Sequence, residues 1–258
     1  MNMFTMLLCI LAGAGAGIGI GFASMSSATV IGPVLLTFLG VAPYQAIGIG
    51  LACDVLASAV GAVTYAKEKY VDLKRSISVA VSVLLFTVIG SLLASFFPAQ
   101  LMGTSSIAST IVMAVIFLMP QGNKKKKVPD EGKKNKKIVI AVIFGAGIGL
   151  GCGAFGAGGG MMILLVLTGL LGYDFKTAAG TSLTFMTLIS LFGAVSHMSF
   201  GQMPELPILF TCMASTAIFA RIAAHIATRL DPTVSRRITG VILMTLAIIV
   251  LGSQMIAG

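Results

Sequence analysis

From Phe4 to Val41 the chain carries no charged side chain. That stretch constrains the fold more than any other feature. A helix needs about 20 apolar residues to cross the hydrocarbon core of a bilayer. Phe4–Val41 is too long for one crossing and too short for two comfortable ones, and its apolar character is interrupted near Ala23–Ser27. Further apolar runs follow at Tyr44–Ala66, Ile77–Phe97 and Thr104–Pro120. Charged residues make up only 10% of the 258, against roughly a quarter in soluble domains. A small soluble core cannot hide this much apolar surface. The fold class expected is therefore an all-α polytopic membrane protein. The 31 glycines suit helices that pack closely in lipid.

The second half repeats this layout. Ile138–Leu171 is again long and broken, here near Ala154–Gly160, and Thr177–Phe200, Leu206–Thr228 and Arg236–Ile256 follow. A shift of 132 positions aligns the halves. Gly13, Gly15, Gly17, Gly19 and Gly21 fall on Gly145, Gly147, Gly149, Gly151 and Gly153; Gly40 falls on Gly172, and Gly61-Ala62-Val63 on Gly193-Ala194-Val195. Nineteen of the fifty-one positions from Gly13 to Val63 are identical without a gap. Such self-similarity marks an internal duplication. The expected organisation is a first membrane repeat over 1–120, a basic linker over 121–137 and a second membrane repeat over 138–258.

Basic residues set the orientation expected in the bilayer. The net charge is +9, but the basic residues cluster in Lys124–Lys137 and beside apolar runs, as at Lys67–Arg75 and Arg229–Arg237. That is the distribution of cytoplasmic loops, not of a nucleic-acid interface. Counting spans back from these loops puts Gly40 outside and its repeat mate Gly172 inside. The two repeats are thus expected to be inverted, each a broken helical hairpin plus three transmembrane helices. Both chain ends are expected outside a cell membrane that the chain crosses many times. Inverted repeats are the architecture of many secondary transporters, whose sites lie between discontinuous helices.

The breaks carry the chemistry. Membrane backbone can depart from helix only against protein or a water-filled cavity. Gly156-Ala157-Gly158-Gly159-Gly160 is too glycine-rich for continuous helix. A new helix starting there presents free N–H groups and a positive dipole end to an anion. The matching place in the first half offers the hydroxyls of Ser24, Ser26 and Ser27. Thr181 and Ser182 lie on the next span and are expected to line the same site, although both types also bond back to helix carbonyls. The alternating glycines before each break have a plainer use, close helix packing.

Few ionisable groups lie within the spans. Asp54 sits mid-span, where a carboxylate is costly and functional by default, so it is the candidate for coupling to a proton or cation; its plainer reading is a neutral, hydrogen-bonded helix-packing residue. Arg221, His225 and Arg229 share a helix face; Arg221 either snorkels or completes an anion pathway. His197 reads as an interfacial residue, and Lys176 and Asp174 as solvated. The four cysteines have no zinc spacing, and Gly151-Cys152-Gly153-Ala154-Phe155-Gly156 fits GxGxxG without the strand–turn–helix context of a nucleotide site. With no GxxxxGK[ST] loop either, no metal, cofactor or enzymatic activity is expected.

The register Gly145-x-Gly147-x-Gly149-x-Gly151, the segment Phe155-Gly156-Ala157-Gly158-Gly159-Gly160 and Ala179-Gly180-Thr181-Ser182-Leu183 resemble the sulfite exporter TauE/SafE family of membrane permeases. The first half departs from the pattern, with Ser24-Met25-Ser26-Ser27-Ala28 in place of the glycine cluster. The resemblance implies transport of small sulfur-containing anions such as sulfite or organosulfonates. The expected function is secondary transport by alternating access, with Ser24, Ser26, Ser27, Gly156, Gly158, Gly159, Gly160, Thr181 and Ser182 holding the anion. An anion channel using the same site is the alternative, distinguished by flux that needs no coupling ion. A sulfur-relay protein using Cys152 or Cys53 is a third reading, which a cysteine-free variant would test. The partners expected are the small anion, the lipid bilayer and a coupling ion, with small-residue surfaces that permit a homodimer.

Overall fold

The computed structural model describes residues 2–74, 76–94, 96–98, 134–155, 159–200 and 204–231, with scattered positions over 108–115 and 233–249. The runs Thr104–Pro120 and Arg236–Ile256 and most of the basic linker lie largely outside the described residues. Within them, eight helices are defined: α1 (Met3–Ala23), α2 (Ala28–Leu39), α3 (Pro43–Lys67), α4 (Ile77–Ala94), α5 (Lys134–Phe155), α6 (Gly159–Gly169), α7 (Phe175–Phe200) and α8 (Leu206–Ala227). Five of them, α1, α3, α4, α7 and α8, are long and apolar enough to cross a membrane. The protein is an all-α polytopic membrane protein. α5 starts at Lys134, inside the stretch that composition assigns to the linker. Lysine is a good helix former, so charge alone does not end a helix.

The first expected break is present: the first apolar stretch divides into α1 and α2 at Ser24–Ser27. The second falls on 156–158, outside the described residues, between the described parts of α5 and α6. The helices after the breaks are short. The 12 residues of α2 rise about 18 Å, roughly half the thickness that a crossing requires. α2 and α6 end alike. Gly40 (φ +63°) and Gly172 (φ +73°), one shift of 132 apart, both adopt the left-handed conformation. Beyond them Val41 N–H donates to Leu35 O (3.2 Å) and Tyr173 N–H to Leu167 O (3.0 Å). Each bond spans seven residues across the left-handed glycine and satisfies a last-turn carbonyl, and a side chain at the glycine would strain the turn.

The alternating glycines serve close packing, on both faces in α1, where Gly19 meets Met25, and on one face in α5. A Cβ on Gly13, Gly17 or Gly21 would strike α8 at Ser215, Thr216–Ala220 and Ala223–Ala224; one on Gly145, Gly149 or Gly153 would strike α4 at Val79–Ser82, Val83–Thr87 and Thr87–Ser91. The intervening Gly147 and Gly151 face open space. In lipid no hydrophobic drive brings helices together, so close backbone approach and interhelical hydrogen bonds hold the pair. One such bond recurs in each half: Ser215 Oγ donates to Ile10 O and Ser82 Oγ to Val142 O, both at 2.8 Å. The first helix of each half therefore packs on a helix of the other half.

Between these two seams lies the pair α3 and α7. Gly48 meets His197, Leu51 meets Gly193, and Gly61 meets Leu183, while the hydroxyls of Ser58 and Thr187 bond at 2.9 Å. Numbers rise on one helix as they fall on the other, so this repeat-related pair is antiparallel. Asp54 is near the middle of α3, about 16 Å from its Pro43 end.

Candidate functional site

α1 ends where Ser24 turns into the left-handed conformation (φ 53°), with its N–H donating to Ile20 O at 2.9 Å. A non-glycine residue there costs about 1 kcal/mol or more. Its side chain is correspondingly tied down. Ser24 Oγ donates to Ala179 O (3.0 Å), and Ser182 Oγ lies 2.8 Å from Ser24 Oγ. Thus the first break is docked on the start of α7.

Two residues later the chain begins α2 against Asp54. Ser26 Oγ donates to Asp54 Oδ2 and Ser27 N–H to Asp54 Oδ1, each at 2.6 Å. Ser27 Oγ donates to Gly50 O (2.6 Å), Ala28 N–H to Ser26 Oγ (3.3 Å), and Thr29 Oγ1 to Ser26 O (2.6 Å). Ser24, Ser26, Ser27 and Asp54 are all buried, Asp54 and Ser27 at 0% exposure. The N–H groups that a helix start leaves unpaired are here supplied by a carboxylate and a hydroxyl from within the protein. The Asp54 carboxyl group takes the acceptor position at the first helix start. Gly50 makes this possible, because a Cβ there would meet Ala28 Cα at 2.5 Å.

The second break touches the first. A Cβ on Gly160 would collide with the Ser24 carbonyl and lie 2.5 Å from Met186 Sδ. One on Gly159 would lie 2.6 Å from Cys152 Sγ. Met186 occupies the repeat position of Asp54, so the second helix start, at Gly159–Gly160, has a thioether where the first has a carboxylate. Gly156 and Gly158 lie outside the described residues.

A matched pair of hydrogen bonds fixes both breaks from behind. Tyr65 Oη donates to Gly21 O at 3.0 Å, and His197 Nε2 lies 2.9 Å from Gly153 O. Tyr65 and His197 are repeat mates, as are Gly21 and Gly153. Facing a carbonyl, Nε2 carries the imidazole proton. Gly180 packs against Tyr65 as Gly48 packs against His197. His197 is 2% exposed and its ring lies 4.2 Å from that of Tyr44. It is a buried residue of the breaks and not the interfacial one the sequence suggests. The signal that finds it is the 132-residue shift, which the unlike residue types obscure.

The structure brings Ser24, Ser26, Ser27, Asp54, Gly159, Gly160 and Ser182 together. It commits Thr181 elsewhere: Asp72 N–H donates to Thr181 Oγ1 (2.9 Å), pinning the α3–α4 loop to α7. Arg221 is exposed on the outer face of α8, with His225 and Arg229, and is not brought to the breaks. Lys176 is not simply solvated; Lys176 Nζ donates to Thr228 O at 2.7 Å, satisfying a carbonyl at the C-terminal end of α8.

A family model described as sulfite exporter TauE/SafE matches residues 9–250. No curated protein and no solved structure matches the chain.

Proposed function

Because the chain belongs to the sulfite exporter TauE/SafE family, we propose that it is a secondary transporter of small sulfur-containing anions, sulfite or an organosulfonate, working by alternating access. One observation carries the proposal. Mid-span, fully buried, the start of α2 holds a carboxylate through neutral donors, the Ser26 hydroxyl and the Ser27 amide. An oriented helix start and hydroxyls therefore suffice to hold an anion at this depth. The twin start at Gly159–Gly160 has Met186 in place of that carboxylate and is the place for a substrate anion, with the Ser24–Ser182 hydroxyl pair beside it.

The antiparallel packing of α3 on α7 supports repeats that are inverted across the bilayer. α1 with α8 and α4 with α5 then form two bundles flanking that central pair. Rocking of one bundle against the other about the breaks would open the site to either face. The basic residues of Lys67–Arg75 favour the cytoplasmic side for that loop. Asp54 is the coupling group in this scheme.

Purified protein in liposomes loaded with sulfite or methanesulfonate is expected to release the anion faster than empty vesicles, with saturating kinetics. Absence of flux above protein-free vesicles across a panel of such anions would refute the proposal. Flux that rises linearly with concentration would replace the carrier with a channel.

A further inference from the structure

His197 is bonded at one ring nitrogen and unpartnered at the other. Nε2 lies 2.9 Å from Gly153 O, two residues before α5 ends at Phe155. Nδ1 is buried and has no hydrogen-bond partner. With the proton on Nε2, Nδ1 is an acceptor with nothing to accept. Four helices close around this ring. Tyr44, in the first turn of α3, lies against it with ring centroids 4.2 Å apart, and Tyr44 Oη donates to Ser91 O on α4 at 3.4 Å. Ser91 Oγ donates in turn to Gly153 O at 3.3 Å. One turn beyond Tyr44, Gly48 lets the His197 Cβ approach α3 closely. A helical carbonyl points toward the residue four ahead, so the Tyr44 carbonyl is directed at Gly48 and the ring above it. That carbonyl is the second backbone group bearing on the imidazole.

The first break is held without these parts. Its support is the Tyr65 hydroxyl on Gly21 O, and Lys176 and Ala223 stand at the repeat positions of Tyr44 and Ser91. A phenol gains no charge between pH 5 and 8, whereas an imidazole does. The titratable groups around His197 are few. On α3 they are the Tyr44 phenol and, about 9 Å along the axis from Gly48, Asp54; on α5 the Cys152 thiol adjoins Gly153. α4 has none over Ile77–Ala94, and the other one on α7, Lys176, is at its opposite end.

Resting on the transport reading above, we infer that His197 is a proton-operated positioning residue: a proton taken up at Nδ1 is donated to the Tyr44 carbonyl, so that one side chain ties the end of α5 to the start of α3 and holds the second break in place. The proton comes from water at the face where α7 ends and returns there, and no bond between heavy atoms changes. Bonds from a charged donor are roughly twice as strong as neutral ones. A charged ring also cannot leave its two carbonyls for apolar surroundings without a large cost. Access can alternate only if the break shifts, so acid slows turnover without weakening the hold on the anion.

The test has two arms. In the first, the detergent-solubilised full chain with isotope-labelled histidine is titrated by NMR; the chain has two histidines, and His225→Gln assigns them. The expected result is a bare Nδ1 and a protonated Nε2 at alkaline pH, with a proton arriving on Nδ1 as the pH falls through about 8 to 5. A ring protonated at Nδ1 instead of Nε2 at alkaline pH, or one that gains no proton over that range, overturns the inference whatever the protein transports. The second arm measures methanesulfonate flux from liposomes, since the charge of that anion is constant over the range. Glutamine places an amide N–H where Nε2 stood and takes up no proton. The ratio of wild-type to His197→Gln kcat is expected to fall about tenfold per pH unit below the His197 titration, with the KM ratio constant. Comparing the two proteins removes the pH dependence that Asp54 gives to both. A kcat ratio independent of pH overturns the inference and leaves anion transport standing. Absence of wild-type flux with any sulfur oxyanion overturns the transport reading, and the proton-dependent hold is then judged by the titration. If the variant does not fold, the wild-type titration decides.

Discussion

The two breaks are built to one plan and finished differently. Both follow a helix with glycines four apart, both precede a short helix closed by a left-handed glycine, and both have the carbonyl of a repeat-related glycine bonded from the far end of α3 or α7. The first is filled from inside: serine hydroxyls replace the glycine cluster and Asp54 lies across the start of α2. The second keeps its glycines and has Met186 in the carboxylate's place. What was duplicated is the scaffold; what distinguishes the halves is which helix start carries its own anion.

The sharpest way to break this asymmetry is Met186→Asp, which gives the second start a carboxylate too. Two unit charges about 5 Å apart at an effective dielectric of about 20 repel by about 3 kcal/mol, so anion affinity should fall on the order of a hundredfold. Calorimetry with methanesulfonate checks it, and unchanged affinity would show that Met186 does not border the anion site.

The next effect concerns the shared scaffold. Gly149→Ala forces a methyl into the Val83 carbonyl and the Phe86 side chain on α4, and overpacking of this kind costs about 1–3 kcal/mol. Gly147→Ala and Gly151→Ala point into open space and should shift the melting temperature little or raise it, since alanine is the better helix former. Thermal unfolding in detergent separates them; equal losses at all three positions would mean that the seam is not the one described.

The smallest effect compares the two supports. Tyr65→Phe leaves Gly21 O without its donor and should cost about 1 kcal/mol, while retaining the ring. His197→Phe should cost a similar amount at Gly153 O. A much larger loss from His197→Phe, read in the same melting assay, would show that the imidazole does more than its twin's hydroxyl.

Much of this was legible in the chain because it depends on local composition. The spans follow from apolar length, the breaks from glycine and serine where helix is unfavourable, and the duplication from the glycine register. Pairings across the fold were hidden. Asp54 lies 28 residues from Ser26 on another helix, and no periodicity connects them. As separate features they read as a coupling carboxylate and an anion-binding serine cluster; bonded together they are one unit, and the donors expected for substrate are those Asp54 uses. Thr181 shares with Ser182 the span that follows the second break, but adjacent helix residues point about 100° apart, and it faces the Asp72 loop instead. Arg221 was ambiguous because a lone basic residue on an apolar helix suits either a pathway or a lipid-facing surface.

The exchange of partner helices between halves also bears on how the protein is made. Among the described residues, the seam on α1 formed by Gly13, Gly17 and Gly21 finds its mate on α8, in the second half. A nascent first half must therefore wait in the bilayer with that groove unfilled, and neither half, expressed by itself, contains the surface that completes its own leading helix. Co-expressed fragments cut in the basic linker should find each other.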